Sequence, residues 1–116
     1  MTDSRLDFLD AMWAKFSPIA RERVADLERY VRDSESGEPT EAVRAAAEWS
    51  AHKLVGALGS FRRAGSAEAA IAERLLQERA PGADLDRVVR MLRGVVDASP
   101  VEQEHPRGDE PPTPSP

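Results

Sequence analysis

The chain contains no cysteine, which removes disulfides and thiolate metal sites together, along with any inference about redox compartment. Aromatic residues make up only 5% of its 116 residues, and β-branched residues never alternate with polar ones over the length of a strand, so nothing favours a sheet. Positive charge is in deficit, with 16 Lys and Arg against 21 Asp and Glu and a formal charge of −5. A protein that grips nucleic acid needs a basic face to neutralise phosphates, so nucleic acid is not an expected partner. No apolar run approaches the roughly 20 residues of a membrane span. The opening MTDSRLDFLDAMW carries acidic residues where a secretion signal carries basic ones, which leaves a cytoplasmic protein with no membrane contact as the expectation. Histidine is scarce as well. His52 and His105 are the whole supply, with no second histidine one helical turn away, so no metal site and no cofactor is expected. Neither Ser50 nor Ser60, close to His52 on one helix, can complete a hydrolase triad with it.

What is abundant is alanine, leucine and helical spacing. Leu6, Leu9, Trp13 and Phe16 recur at three and four residues and predict a short first helix. Ser17 and Pro18 then form a start signal, an N-cap type before proline at the first helical position, so a new helix or a kinked continuation begins there with Ala20, Val24, Leu27 and Val31 as its stripe. The breakers Gly37 and Pro39 lead to Thr40, a good N-cap with Glu41 favourably placed behind it. From there a helix of about twenty residues presents Val43, Ala47, Leu54, Leu58 and Phe61. Ser66 is the expected cap of the next, with Ala70, Ile71, Leu75 and Leu76 on its apolar side. After Pro81 and Gly82, Asp84 is the expected cap of a last helix whose Leu85, Val88, Val89, Leu92, Val95 and Val96 follow the i, i+3, i+4, i+7 pattern closely.

Short connections between amphipathic helices favour antiparallel neighbours. The expected fold is therefore all-α, an up-and-down four-helix bundle over residues 1–98 with an additional short N-terminal helix covering one end. Residues 99–116 hold six prolines in eighteen positions and almost no large apolar side chain, so a disordered, proline-rich acidic tail is expected there. Its Arg107-Gly108-Asp109 tripeptide reads as chance, and its PTPSP ending as a spacer. Paired carboxylates such as Asp7 with Asp10 read as solvated surface, because acid–base chemistry needs burial to move a pKa.

One stretch stands apart, SAHKLVGALGSF at residues 50–61. At about 100° per residue His52 lies about 160° from Leu54 and about 120° from Leu58, so the imidazole is expected in solvent. On its own face stand Glu48 and Trp49 one turn before, and Val55, Gly56 and Gly59 after it. Each glycine costs roughly 1 kcal/mol relative to alanine inside a helix. What they supply is bare backbone beside the ring, where another protein can approach closely. Lys53 adjoins the histidine, and Arg62 and Arg63 close the helix. A neutral imidazole is a competent nucleophile near neutral pH, and a positive surrounding favours a phosphoryl group once attached.

The stretch AHKLVGALGSF resembles the signature of histidine-containing phosphotransfer (HPt) domains, on His52, Lys53, Leu54, Gly56, Gly59 and Phe61. With the four-helix arrangement the resemblance extends over roughly residues 18–98. It implies that His52 accepts a phosphoryl group, through its distal ring nitrogen, from an aspartyl phosphate on a response-regulator receiver domain and passes it to another receiver. A histidine kinase is a further possible partner. The receiver supplies the aspartate and the magnesium ion, so the chain itself needs no metal. Lys53, Gly56, Gly59, Trp49, Val55, Arg62 and Arg63 are the expected supporting or docking residues. Val55 stands where many members of the family carry lysine. The family places a polar residue on the following helix against the second ring nitrogen, and Arg74 and Gln77 are the candidates by register. The rival reading is a helical adaptor that binds a receiver or kinase without passing a phosphoryl group.

Overall fold

Trp13, Ser17, Ala20, Val24, Leu27 and Val31 are all buried and follow one another at intervals of four and three, so a single apolar seam runs along the first helix. That seam explains a departure from the expected short N-terminal helix. In the structure, a computed structural model that describes residues 4–98, α1 runs unbroken from Ser4 to Ser34 with Pro18 inside it. Proline has no N–H for the carbonyl four residues earlier, which here belongs to Ala14. The Ser17 hydroxyl donates to that same carbonyl at 3.3 Å and relieves the vacancy. The dipeptide that reads locally as a helix start is thus an internal repair. Because interior proline costs about 3 kcal/mol relative to alanine, and loses part of that by restricting the unfolded chain, Pro18→Ala should raise stability by about 1–2 kcal/mol. Urea titration measures it, and a lower midpoint would mean that a proline-induced bend is needed for the packing of Trp13.

The remaining helices are α2 (Glu41–Ser60), α3 (Ser66–Gln77) and α4 (Gly82–Asp97), and no strand occurs among the described residues. Thr40 caps α2 as its sequence predicts, accepting the Val43 N–H at 3.2 Å. The cap of α3 is Gly65 rather than Ser66. Its φ of +102° is left-handed, and an added Cβ would press on Leu92 and Leu58 at 3.2 and 3.3 Å, so glycine is required twice over. Ser66 instead donates its hydroxyl to the Val55 carbonyl at 2.9 Å and ties the start of α3 to α2. α4 begins at Gly82 with Pro81 in the cap position, which puts the expected cap Asp84 inside the first turn, and a side chain at Gly82 would overlap Ser34.

Each helix packs on two others, α2 on α1 and α3, and α4 on α1 and α3. Tyr30 near the end of α1 donates to the Ala80 carbonyl just before α4 at 3.0 Å, while Arg21 reaches Asp97 at the end of α4 at 3.3 Å. Ser50 of α2 donates to Asp26 at 2.6 Å, and Arg63 beyond α2 meets Asp10 at 2.7 Å. Leu27, Leu54, Leu58, Leu76, Leu85 and Leu92 fill the space between, each fully buried. On α3 the buried residues are Ala69, Ala72 and Leu76 with Leu75 at the margin, whereas Ala70 and Ile71 are exposed, so the expected face is rotated. No helix among the described residues is long and apolar enough to cross a membrane. The expected tail, with its tripeptide and PTPSP ending, lies outside the described residues.

Candidate functional site

His52 stands in the middle of α2 between Ala51 and Leu54, both buried without residual exposure, and those two anchors aim it outward. Its side chain is 62% exposed, as the helical register predicts. Across the α2–α3 contact, Glu73 comes to 3.0 Å of Nδ1. A carboxylate offers only acceptors, so the proton in this hydrogen bond belongs to the imidazole. In the neutral imidazole this fixes the tautomer with Nδ1 protonated and Nε2 carrying the lone pair.

Neither Arg74 nor Gln77, the candidates from sequence, takes the Nδ1 position. Gln77, one turn after Glu73, faces Glu48, one turn before His52, and adds to the lowering of its carboxyl pKa. Two rungs of an antiparallel pair are thus filled in step, His52 with Glu73 and Glu48 with Gln77. Arg44 also binds Glu48, at 2.6 Å, and donates to the Leu76 carbonyl at 3.4 Å. The Arg44 guanidinium is the main cause that holds the Glu48 carboxyl below the usual carboxylate range. The same guanidinium, with Arg79 second, holds the Glu41 carboxyl down to about 2. Glu48 is therefore compensated from the Arg44 side, and the imidazole has Glu73 to itself.

The glycines beside the ring differ in surroundings. An added Cβ on Gly56 would meet nothing within 4 Å, so its backbone lies open to an approaching surface. At Gly59 the Cβ would make ordinary contact with the Ser66 hydroxyl at 3.7 Å. Trp49 is 55% exposed, in contrast to buried Trp13, and its ring stacks on that of His52 with centroids 6.3 Å apart and planes at 29°. The Lys53 ammonium lies 4.5 Å above the Trp49 ring centroid. Ala45, Glu48, Trp49, His52 and Glu73 line a shallow hollow of about 240 Å³.

The chain matches no family model, no curated protein and no solved structure with which it was compared. The site therefore stands on its own geometry.

Three of the expected supporting residues are placed elsewhere. Val55 is half-buried against the core on the α3 side. Arg62 is exposed in a left-handed conformation at φ +57° beyond the end of α2, whose last residue already lies about 12 Å along the axis from His52. Arg63 is a correction. Its side chain is only 4% exposed, bound to Asp10 and lying 5.3 Å over the Trp13 ring, so it fastens α1 to the end of α2 and presents no docking charge. Among the described residues no group of three or more His, Asp or Glu side chains is arranged to hold a metal ion.

Proposed function

We propose that this chain is a histidine phosphotransfer protein of a two-component phosphorelay, working in the cytoplasm as an up-and-down four-helix bundle. The observation that carries the reading is the Glu73 hydrogen bond to Nδ1, which in the neutral ring leaves the lone pair on Nε2 of an exposed imidazole. In the proposed step Nε2 attacks the phosphorus of an aspartyl phosphate on a receiver domain. The N–P bond forms as the P–O bond to the aspartyl carboxyl breaks, and the electron pair of that bond stays on the aspartate. No proton moves. The ring becomes an Nε2-phosphoimidazolium with its Nδ1–H still on Glu73, whose negative charge offsets the positive charge that the ring acquires. Reversal toward another receiver restores the free imidazole. The magnesium ion needed to screen the phosphoryl oxygens belongs to the receiver.

Trp49, Lys53, Gly56 and Gly59 surround the ring and form the proposed docking face for the receiver. A relay partner must leave, so the interface is expected to be small. The test is incubation with a phosphorylated receiver. The wild-type chain should acquire an acid-labile, alkali-stable label that His52→Gln lacks; binding without label on either protein would select the adaptor reading instead. Gly56→Leu separates access from folding because the two effects have opposite signs. Helix propensity should raise stability by about 0.8 kcal/mol, while receiver binding weakens about tenfold as the side chain fills the approach. Unchanged binding would remove Gly56 from the interface.

A further inference from the structure

The Glu73 bond turns Nδ1 toward α3, so Nε2 lies on the flank of the ring away from that helix. Around the axis of α2, at about 100° per residue, Trp49 lies about 60° and Lys53 about 100° from His52 on one side, while Glu48 and Val55 lie on the other side, toward α3. A phosphoryl group on Nε2 brings close to two negative charges onto a ring that already has the Glu73 carboxylate against its other nitrogen. Arg44 cannot answer them, since Glu41 and Glu48 hold it. Lys53 can. It makes no ion pair with a carboxylate among the described residues, and its ammonium rests on the face of Trp49, the ring that stacks on His52.

The choice of holder matters. A carboxylate would cancel the charge of the lysine, whereas an aromatic face restrains the ammonium and leaves its charge uncompensated. The restraint is weak at an exposed site. A phosphoryl dianion on the adjoining imidazole is the stronger attractor. We propose that Lys53, parked on Trp49, is the residue that stabilises the phosphoryl group on His52 Nε2, both as it arrives and while it stays. This rests on the phosphotransfer reading and names the charge that serves it.

Phosphoramidate is the probe, because it phosphorylates an imidazole without a docking partner. Nε2 attacks the phosphorus of the reagent and the P–N bond of the reagent breaks. Its nitrogen, already fully protonated as an ammonio group, leaves as ammonia with the electron pair of that bond. Labelling and decay of the phosphohistidine are followed by phosphorus NMR on the full chain at several salt concentrations. Lys53→Gln should label about three- to fivefold more slowly than wild type and lose the salt dependence of the wild-type rate. Lys53→Arg, which keeps the charge and the aromatic contact, should restore both. Trp49→Leu should slow labelling less, and should add nothing in the Lys53→Gln background. Equal rates and equal salt dependence in wild type and Lys53→Gln would overturn the role of Lys53 while leaving His52 as carrier. A wild-type chain that takes no label from phosphoramidate or from a receiver would overturn the carrier and Lys53 together.

Discussion

Glu73→Ala should slow phosphoryl acceptance by His52 about ten- to a hundredfold, the range found when a group that orients a histidine is removed. Two losses combine. Without the carboxylate on Nδ1 at 3.0 Å, the ring proton exchanges between the two nitrogens, and molecules protonated on Nε2 cannot attack. In those that do attack, the positive charge gained by the ring has no counter-charge beside it. Glu73→Gln separates the two, because its amide oxygen still accepts from Nδ1–H while its charge is gone; a loss of about tenfold or less is expected. Rates come from transfer out of a phosphorylated receiver, and the tautomer from the nitrogen NMR shifts of the imidazole, which a purely structural role for Glu73 would leave unmoved. Wild-type rates and wild-type nitrogen shifts in Glu73→Ala would remove the carboxylate from the mechanism.

Glu73 also marks the boundary of what residue spacing alone discloses. The exposure of His52 was legible, because Leu54 and Leu58 define the inner face of α2 and leave 52 on the outer one. The capping of α2 by Thr40 was legible for the same local reason, a side chain bonding the backbone three residues ahead. The partner of Nδ1 depends on how α3 lies against α2, and that register crosses the turn from Phe61 to Gly65, where two left-handed residues, Arg62 and Gly65, redirect the chain. A slip of one residue there exchanges Glu73 for Arg74. The alanine-rich surface of α3 could not correct the slip, since Ala69 and Ala72 are buried while Ala70 is exposed and the three have the same side chain. Only pairing the polar residues of both helices in an antiparallel sense, Glu48 with Gln77 and His52 with Glu73, finds the register.

The other unread feature is a buried charge. Arg63 looks in sequence like a surface cation at a helix end, yet Trp13, Asp10 and Arg63 form one joint, with Trp13 1% exposed and its ring centroid 5.6 Å from that of Phe61. Nothing local pairs residues fifty positions apart. The same joint is what holds the first half of α1 on the rest of the fold, because the carbonyl of Ala14 depends on a serine hydroxyl instead of the backbone N–H missing at Pro18.

Trp13→Ala should therefore unfasten a segment before it melts the whole. Truncating a fully buried tryptophan costs about 3–5 kcal/mol, and here it also strips the aromatic face from a guanidinium that is 4% exposed, leaving Asp10 as its remaining ionic partner. The interrupted ladder at Pro18 gives this strain a place to stop. Residues 4–17 can detach while Ala20, Val24 and Leu27 stay packed against the other helices. Hydrogen exchange should show protection lost from residues 4–17 and kept around Leu54, Leu58 and Leu92. Global unfolding in urea should fall by less than the full truncation cost, since part of it is spent before the transition. If Pro18→Ala is added, the repaired ladder couples the segment to the remainder of α1, and the exchange of residues 4–17 should move toward that of the core. Protection lost evenly across all four helices in Trp13→Ala would show that α1 behaves as one rigid rod in spite of its proline, and that the joint at Trp13 supports the entire core.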